Sequence, residues 1–430
     1  MEVILRNIFL ASLLMMTMTA GHASSKLYLV ETTKFGPLDI NQLHAEDVAQ
    51  EKLGRAPRFA VVHHVNIEPT RMSNWVVRGS QLVWQHKIYA QSAASINLAF
   101  EKFNLPSSAQ LNFFSTDMQH MIRAFTSNDN NSAQQLWTPV IESEEVMVEL
   151  VVDRAEFDQV ELALTRVNQG YRTFAQTTKK AGSCNVDVAC KQSQGWENEI
   201  NTVAVISTGG STFCTGFMVN NTRNDKTPYF MTADHCGVGN ESDAASLVTY
   251  WNYQASSCRG ARNGRTTDFN TGAQYLASSA RSDFTLLKLN QEPSPAYNVR
   301  YAGWDRTGVN AKKAIAIHHP ATDEKSISFE NDPTTNTYYL ETELVSDATH
   351  VRVENWDLGT TEPGSSGSPL FDQNHRVIGQ LHGGYASCTS KTADWYGRLH
   401  VSWEGEGSSS TRLKDHLDPD NTGLEVVDTL

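Results

Sequence analysis

The chain has 430 residues, room for two or three domains, and 40% hydrophobic content is enough for ordinary cores, which excludes a disordered or fibrous protein. A formal net charge of −13 argues against nucleic acid and against an anionic membrane surface, both of which would repel it. Soluble partners are left, small molecules or proteins.

Residues 1–23 read as a removable export signal. Arg6 precedes an apolar stretch, Ile8 to Met18, too short to span a bilayer, and Gly21 and Ala23 put small residues where a signal peptidase cuts. The implied destination is oxidising: outside the cell, by way of the periplasm if the host has two membranes. Six cysteines fit that destination: Cys184, Cys190, Cys214, Cys236, Cys258 and Cys388 are even in number and form no C-x-x-C pair. Zinc binding is therefore not expected, and the spacing leaves the disulfide pairing open. All six follow residue 183, so one half of the chain is stapled and the other is not.

Residues 24–180 carry strand-like alternation, as in Ile96 to Phe100 and Val146 to Leu150, and predict a β-sandwich. From Ala155 to Gln176 the apolar positions Phe157, Val160, Leu162, Leu164 and Val167 follow helical spacing only loosely and predict a helix. The polar run Thr177 to Ser183, with Lys179 and Lys180, has no core to join and marks a domain boundary. Residues 181–430 then show short β-type runs parted by Gly, Asn, Asp and Ser: Thr202 to Ser207, Phe213 to Val219, Tyr229 to Thr232, Phe284 to Leu289, Ala314 to Ile317 and Val377 to Leu381. Only the tail, Ser409 to Leu417, reads as helical, with serines able to cap it.

Chemistry concentrates in three blocks of this second half. A serine hydroxyl is a poor nucleophile until a base lies within reach and main-chain N–H groups await the oxyanion. Gly364-Ser365-Ser366-Gly367-Ser368-Pro369 supplies the serine in a turn that glycines permit, and Thr232-Ala233-Asp234-His235-Cys236 supplies the base. Asp283 opens the apolar run Phe284 to Leu289, where a carboxylate can be held rigidly to orient the imidazole. Two histidine pairs, His318–His319 and His63–His64, are poor metal sites, because neighbours on a strand point to opposite faces and no third ligand stands at a telling spacing. No metal or other cofactor is expected.

In order and content these blocks resemble the signature blocks of chymotrypsin-like serine peptidases. More narrowly, the stretch from Cys184 resembles the bacterial lysyl endopeptidases through Thr215 to Thr222, Tyr250 to Gln254, Ala302 to Arg306, Ile315 to Pro320 and Gly379 to Gly384. The resemblance implies an all-β protein: a double β-barrel catalytic domain, 181–430, behind a mostly β, sandwich-like propeptide, 24–180. It implies Ser366 as nucleophile, His235 as base and Asp283 as its orienter, with the Gly364 and Ser366 N–H groups as oxyanion hole. It also implies the disulfides Cys214–Cys236, Cys190–Cys258 and Cys184–Cys388.

Thr360 stands where trypsin-like enzymes keep their specificity aspartate, so basic specificity by that route is absent. The family instead has an Asp-x-Tyr-Gly-Arg block, matched by Asp394 to Arg398, which implies Asp394 as the lysine-binding carboxylate; the plainer reading is a turn aspartate paired with Arg398. His382 matches the histidine that packs beside the catalytic one under a tryptophan, a role for which Tyr338 and Tyr339 are the nearest substitutes. Asp234 is expected to face solvent. Ser365 replaces the aspartate that switches pancreatic zymogens, so activation is assigned to cleavage after Lys179 or Lys180, with the propeptide as folding aid and intramolecular inhibitor. The function implied is a secreted, monomeric endopeptidase cutting proteins or peptides after lysine. Its rivals are a chymotrypsin-like peptidase of another specificity and a catalytically silent binding protein on the same fold. An α/β-hydrolase is disfavoured because Ser368 breaks G-x-S-x-G.

Overall fold

The computed structural model describes residues 30–51, 55–172 and 182–430. The segment 1–23, Lys179 and Lys180 lie outside the described residues. Strands dominate, in four sheets.

Two sheets face one another in the cysteine-free half. One runs Glu31–Phe35, Gln81–Ala90, Glu145–Asp153, Gln110–Ser115, with Trp75–Arg78 beside Gln81–Ala90; the other runs Ala60–Ile67, Glu161–Gly170, Ser95–Asn104, Leu136–Trp137. Val146, Val148, Leu150 and Val152 alternate with less buried neighbours, the period expected of a strand with one face inward. They meet Leu98, Phe100, Phe113, Leu164 and Val167 in one core.

The stretch expected to be helical is not. A 3-10 turn, Phe157–Gln159, leads into the strand Glu161–Gly170, which pairs on both edges with Ala60–Ile67 and Ser95–Asn104. Register shifts next to Phe100 and between His64 and Ile67 are bulges, and a bulge displaces the alternation by one residue, so the apolar positions drift towards helical spacing. The tail is likewise mostly irregular: only Lys414–Leu417 is helical, and no serine side chain caps it.

The stapled half contains a seven-stranded sheet in the order Phe269–Thr271, Val248–Tyr250, Val203–Thr208, Thr212–Met218, Tyr229–Ala233, Phe284–Leu289, Ala273–Ser279. A ten-stranded sheet follows, built around Ala314–His318, Pro369–Asp372, Val377–Gly384, Asp394–Arg398 and His350–Val353. Each sheet wraps its own cluster, Ile206, Met218, Phe230 and Leu287 in the first, Ala314, Val353, Leu370 and Tyr396 in the second. A third cluster joins them, with Val203, Phe217 and Leu286 against Ile315, Ile317 and Phe371. Three disulfides, Cys184–Cys388, Cys190–Cys258 and Cys214–Cys236, tie this half together. Both halves also share apolar packing: Phe213, Val248, Tyr250 and Phe269 belong to the same cluster as the sandwich core.

Candidate active site

His235 and Asp283 come from adjacent strands of the seven-stranded sheet, and Ser366 from a loop entering the ten-stranded one. Tyr229–Ala233 ends in the tight turn Asp234–Cys236, closed by Gly237 at φ +80°, which turns His235 out at the strand's end. Asp283 lies just before Phe284–Leu289, in register beside that turn, with φ +54°, a conformation that aspartate tolerates. Its Oδ2 sits 2.9 Å from His235 Nδ1 and its Oδ1 accepts the His235 backbone N–H at 3.0 Å, so one buried carboxylate fixes both ring and main chain. Gln380 Nε2 donates to the carbonyls of Ser282 and Asp283 and holds the turn from the other sheet. Burial works against a charged His235, but the charge and hydrogen bond of Asp283, with Asp234 behind them, outweigh it and raise the imidazole's pKa. Asp234 does not face solvent freely: it is half-buried and bonded to Ser278.

The loop carrying Ser366 is built from its backbone outward. Gly364 and Gly367 have φ of +98° and +82°, and a side chain on Gly367 would collide with Thr215 O and Thr232 Oγ1. Ser366 O accepts from Thr215 N at 2.8 Å, and Gly367 N donates to Leu381 O at 2.8 Å. Ser365, buried, bonds His318 Nδ1 at 2.8 Å, and His318 Nε2 reaches Ser328 Oγ at 3.0 Å. Burial holds His318 down to about 3, so at neutral pH it is an uncharged brace. Its neighbour His319 bonds Asp323 O instead, while His63 bonds Gln169 and His64 is exposed. Among the described residues, the N–H groups of Gly364 and Ser366 have no protein acceptor and Ser366 Oγ makes no hydrogen bond to His235. Such contacts often close only around substrate.

A ring stack flanks His235. His382 lies against His235, centroids 5.4 Å apart, and Tyr339 covers His382 at 3.6 Å with the rings parallel to within 1°. Tyr339 thus occupies the face over His382, while Tyr338 turns to Asp347. His350, which sequence reasoning missed, bonds His382 Nδ1 through Nε2 at 2.9 Å and Thr349 Oγ1 through Nδ1 at 2.8 Å. Burial presses His382 down to about 4 and His350 to about 3. One ligand atom each from His235, Asp283 and His382 lie within 4.8 Å of one another, but His235 and Asp283 already bond each other there.

Asp394, 1% exposed, begins the strand Asp394–Arg398, and its Oδ2 accepts from Trp356 Nε1 and Thr361 Oγ1, each at 2.7 Å. The pairing with Arg398 is overturned, because that guanidinium donates to Ala348 O and Gly308 O. Among the described residues no cation pairs with Asp394, and burial pushes it up to about 6 against the pull of its donors. Thr361 stands five residues before Ser366 on the same loop. Thr360, beside it, is buried and bonds Ser328 Oγ through its carbonyl.

A family model described as the C-terminal domain of lysyl endopeptidase matches residues 178–397. The lysyl endopeptidase of Pseudomonas aeruginosa is 32% identical over 330 residues, 71% of this chain and 68% of that protein. Remote likenesses among solved structures include a Glu endopeptidase, 16% identical over 51% of this chain and 92% of the other at a TM-score of 0.32. Another is the HtrA-type protease AlgW, 15% identical over 53% and 64% of the respective chains at 0.34. The sequence matches alone, spanning the region that holds His235, Asp283 and Ser366, place this serine endopeptidase in the lysyl endopeptidase family.

Proposed function

We propose that the chain is the precursor of an exported endopeptidase that hydrolyses peptide bonds on the carboxyl side of lysine. The observation that carries the specificity is Asp394: a buried carboxylate without a cation, bonded to the loop that bears the nucleophile. A lysine ammonium supplies the missing charge, and the compact ammonium suits an enclosed carboxylate better than a planar guanidinium does.

With lysine so held, Ser366 Oγ attacks the scissile carbonyl while His235 Nε2 takes its proton and Asp283 stabilises the imidazolium. The oxyanion draws on the unengaged N–H groups of Gly364 and Ser366. His235 then gives the proton to the leaving amine, and water repeats the sequence on the acyl-enzyme. Because the base acts only when neutral and its pKa is raised, kcat/KM is expected to fall as pH drops through a value above 6.5. Residues 24–180 serve as a pro-region, released by cleavage at Lys179 or Lys180.

Substituting Asp394→Asn is the test. Cleavage of lysyl peptides should drop roughly 100-fold or more, the scale for removing one partner of a buried charge pair. Hydrolysis of an uncharged ester should be little changed; equal loss on both would mean that Asp394 supports the fold and not the substrate. Peptide mapping of a digested protein reads the lysine preference directly.

A further inference from the structure

Among the described residues, an extended segment of the N-terminal half, 57–59, reaches the strand edge beside the active site. Arg58 faces Thr212 in an antiparallel bridge, Phe213 N donates to Pro57 O at 3.0 Å, and Phe59 N donates to Ser211 O at 2.7 Å. This edge adjoins the catalytic groups. The Phe213 ring lies against Gly364, and Cys214 is bonded to Cys236, the residue after His235. A cavity of about 520 Å³ separates Arg55 and Ala56 from His235 and Cys236.

The chemistry tells which side of the cleft this is. His235 must hand its proton to the leaving amine, so residues beyond the scissile bond depart on the side of His235 and the Cys214–Cys236 bridge. Asp394 belongs to the ten-stranded sheet, and Thr361, bonded to it, to the loop entering that sheet. Backbone pairing with an open strand edge is a general way to bind extended peptide. Here residues 57–59 already hold that edge. They are anchored from behind: Arg58 bonds Glu46 at 3.0 Å, Asp47 at 3.1 Å and the Tyr171 hydroxyl at 3.2 Å, while buried Asp47 also takes Arg172 at 2.6 Å. Arg55 donates to Gln50 Oε1 at 2.6 Å.

We propose that the N-terminal half restrains the enzyme by pairing residues 57–59 with the edge of residues 211–213, which blocks the leaving-group side of the cleft to extended substrates and leaves Ser366 and the Asp394 pocket accessible. The proposal rests on the reading of Ser366 and His235 as nucleophile and base. It makes the uncut chain selectively inhibited: competent on a small ester, incompetent on a peptide.

The uncut chain carrying Lys179→Gln and Lys180→Gln, its integrity checked by mass, is compared with processed enzyme on two substrates. One is a lysyl thiobenzyl ester, with no residue after the scissile bond. The other is an internally quenched peptide with four residues after its single lysine. Relative to processed enzyme, kcat/KM of the uncut chain is expected to be within about threefold on the ester and reduced at least 100-fold on the peptide. Arg58→Glu, which sets a third acid against Glu46 and Asp47, is expected to recover peptide cleavage at least tenfold; if that variant does not fold, Arg58→Ala should act in the same direction. Equal activity on both substrates, or equal loss on both, overturns the proposal. An arginyl ester and peptide cleaved as well as the lysyl pair, with the same ester-to-peptide contrast, would overturn the lysine reading while supporting the block.

Discussion

The two halves are stabilised differently. Residues 30–172 form a sandwich with no covalent link, resting on one alternating core and a few ion pairs such as Asp47 with Arg58 and Arg172. Residues 182–430 carry three disulfides and crowd buried polar groups, among them Asp283, His318, His350 and Asp394, around one cleft. A core of apolar side chains needs no staples, whereas a site that buries a carboxylate without a counter-ion and neutral histidines accepts a loss of stability that cross-links offset.

That contrast can be broken in stages. The largest effect should come from Ser366→Ala, which is expected to remove about 10⁶-fold of kcat with thermal stability essentially unchanged, because the side chain makes no structural bond; steady-state assay beside calorimetry checks both halves of the claim. Next is reduction. The Cys214–Cys236 bridge closes a sequence separation of 22 and contributes about 3 kcal/mol in the chain-entropy model. Reductant should therefore raise hydrogen exchange throughout 182–430 and leave the strands between Ala60 and Gly170 nearly as protected as before. Uniform loss in both halves would show one cooperative unit.

Asp394 sharpens the comparison from the other direction. Its folded pKa, about 6, lies above the ordinary 3.8, so its contribution is fully present below pH 3.8 and is lost as pH rises through 6. At pH 8 the ionised group, with no cation beside it, costs on the order of 3 kcal/mol. Asp394→Asn should accordingly melt higher than the parent at pH 8 and no higher at pH 4, even as it loses lysyl cleavage. The smallest effect is expected from Tyr339→Ala: loss of one stacked ring is worth about 1 kcal/mol, or roughly fivefold in kcat, accompanied by a shifted acid limb because His382 and His235 become better hydrated. An unshifted limb would make Tyr339 a packing residue only.

Strands were legible wherever a run was apolar and short, as in Phe284–Leu289, because burial on both faces leaves a continuous signal. The helix Ile40–Glu51 left no such trace: Asp47 is its buried residue, held by ion pairs and not by an apolar stripe. The strand Glu161–Gly170 misled because bulges interrupt its alternation, and pairing on two edges overrode local spacing. At the site, Ser366, His235 and Asp283 each sit in a local motif that glycine and strand patterning mark. His350 and Tyr339 do not. They meet His382 from a strand and a turn more than 30 residues away, so nothing near either one in the chain announces its neighbour. The edge pairing of residues 57–59 with 211–213 was hidden for the same reason.

The brace from Ser328 through His318 to Ser365, and the bond from Cys184 to Cys388, already stand in the uncut chain. Wherever the chain is severed before Cys184, the new terminus stays tethered to the loop that precedes Asp394, and the turn bearing the nucleophile is held by groups that the cut does not touch. Under the proposed processing, maturation is a subtraction. These bonds need no rearrangement, and the speed of activation would be set by how fast residues 30–172 let go.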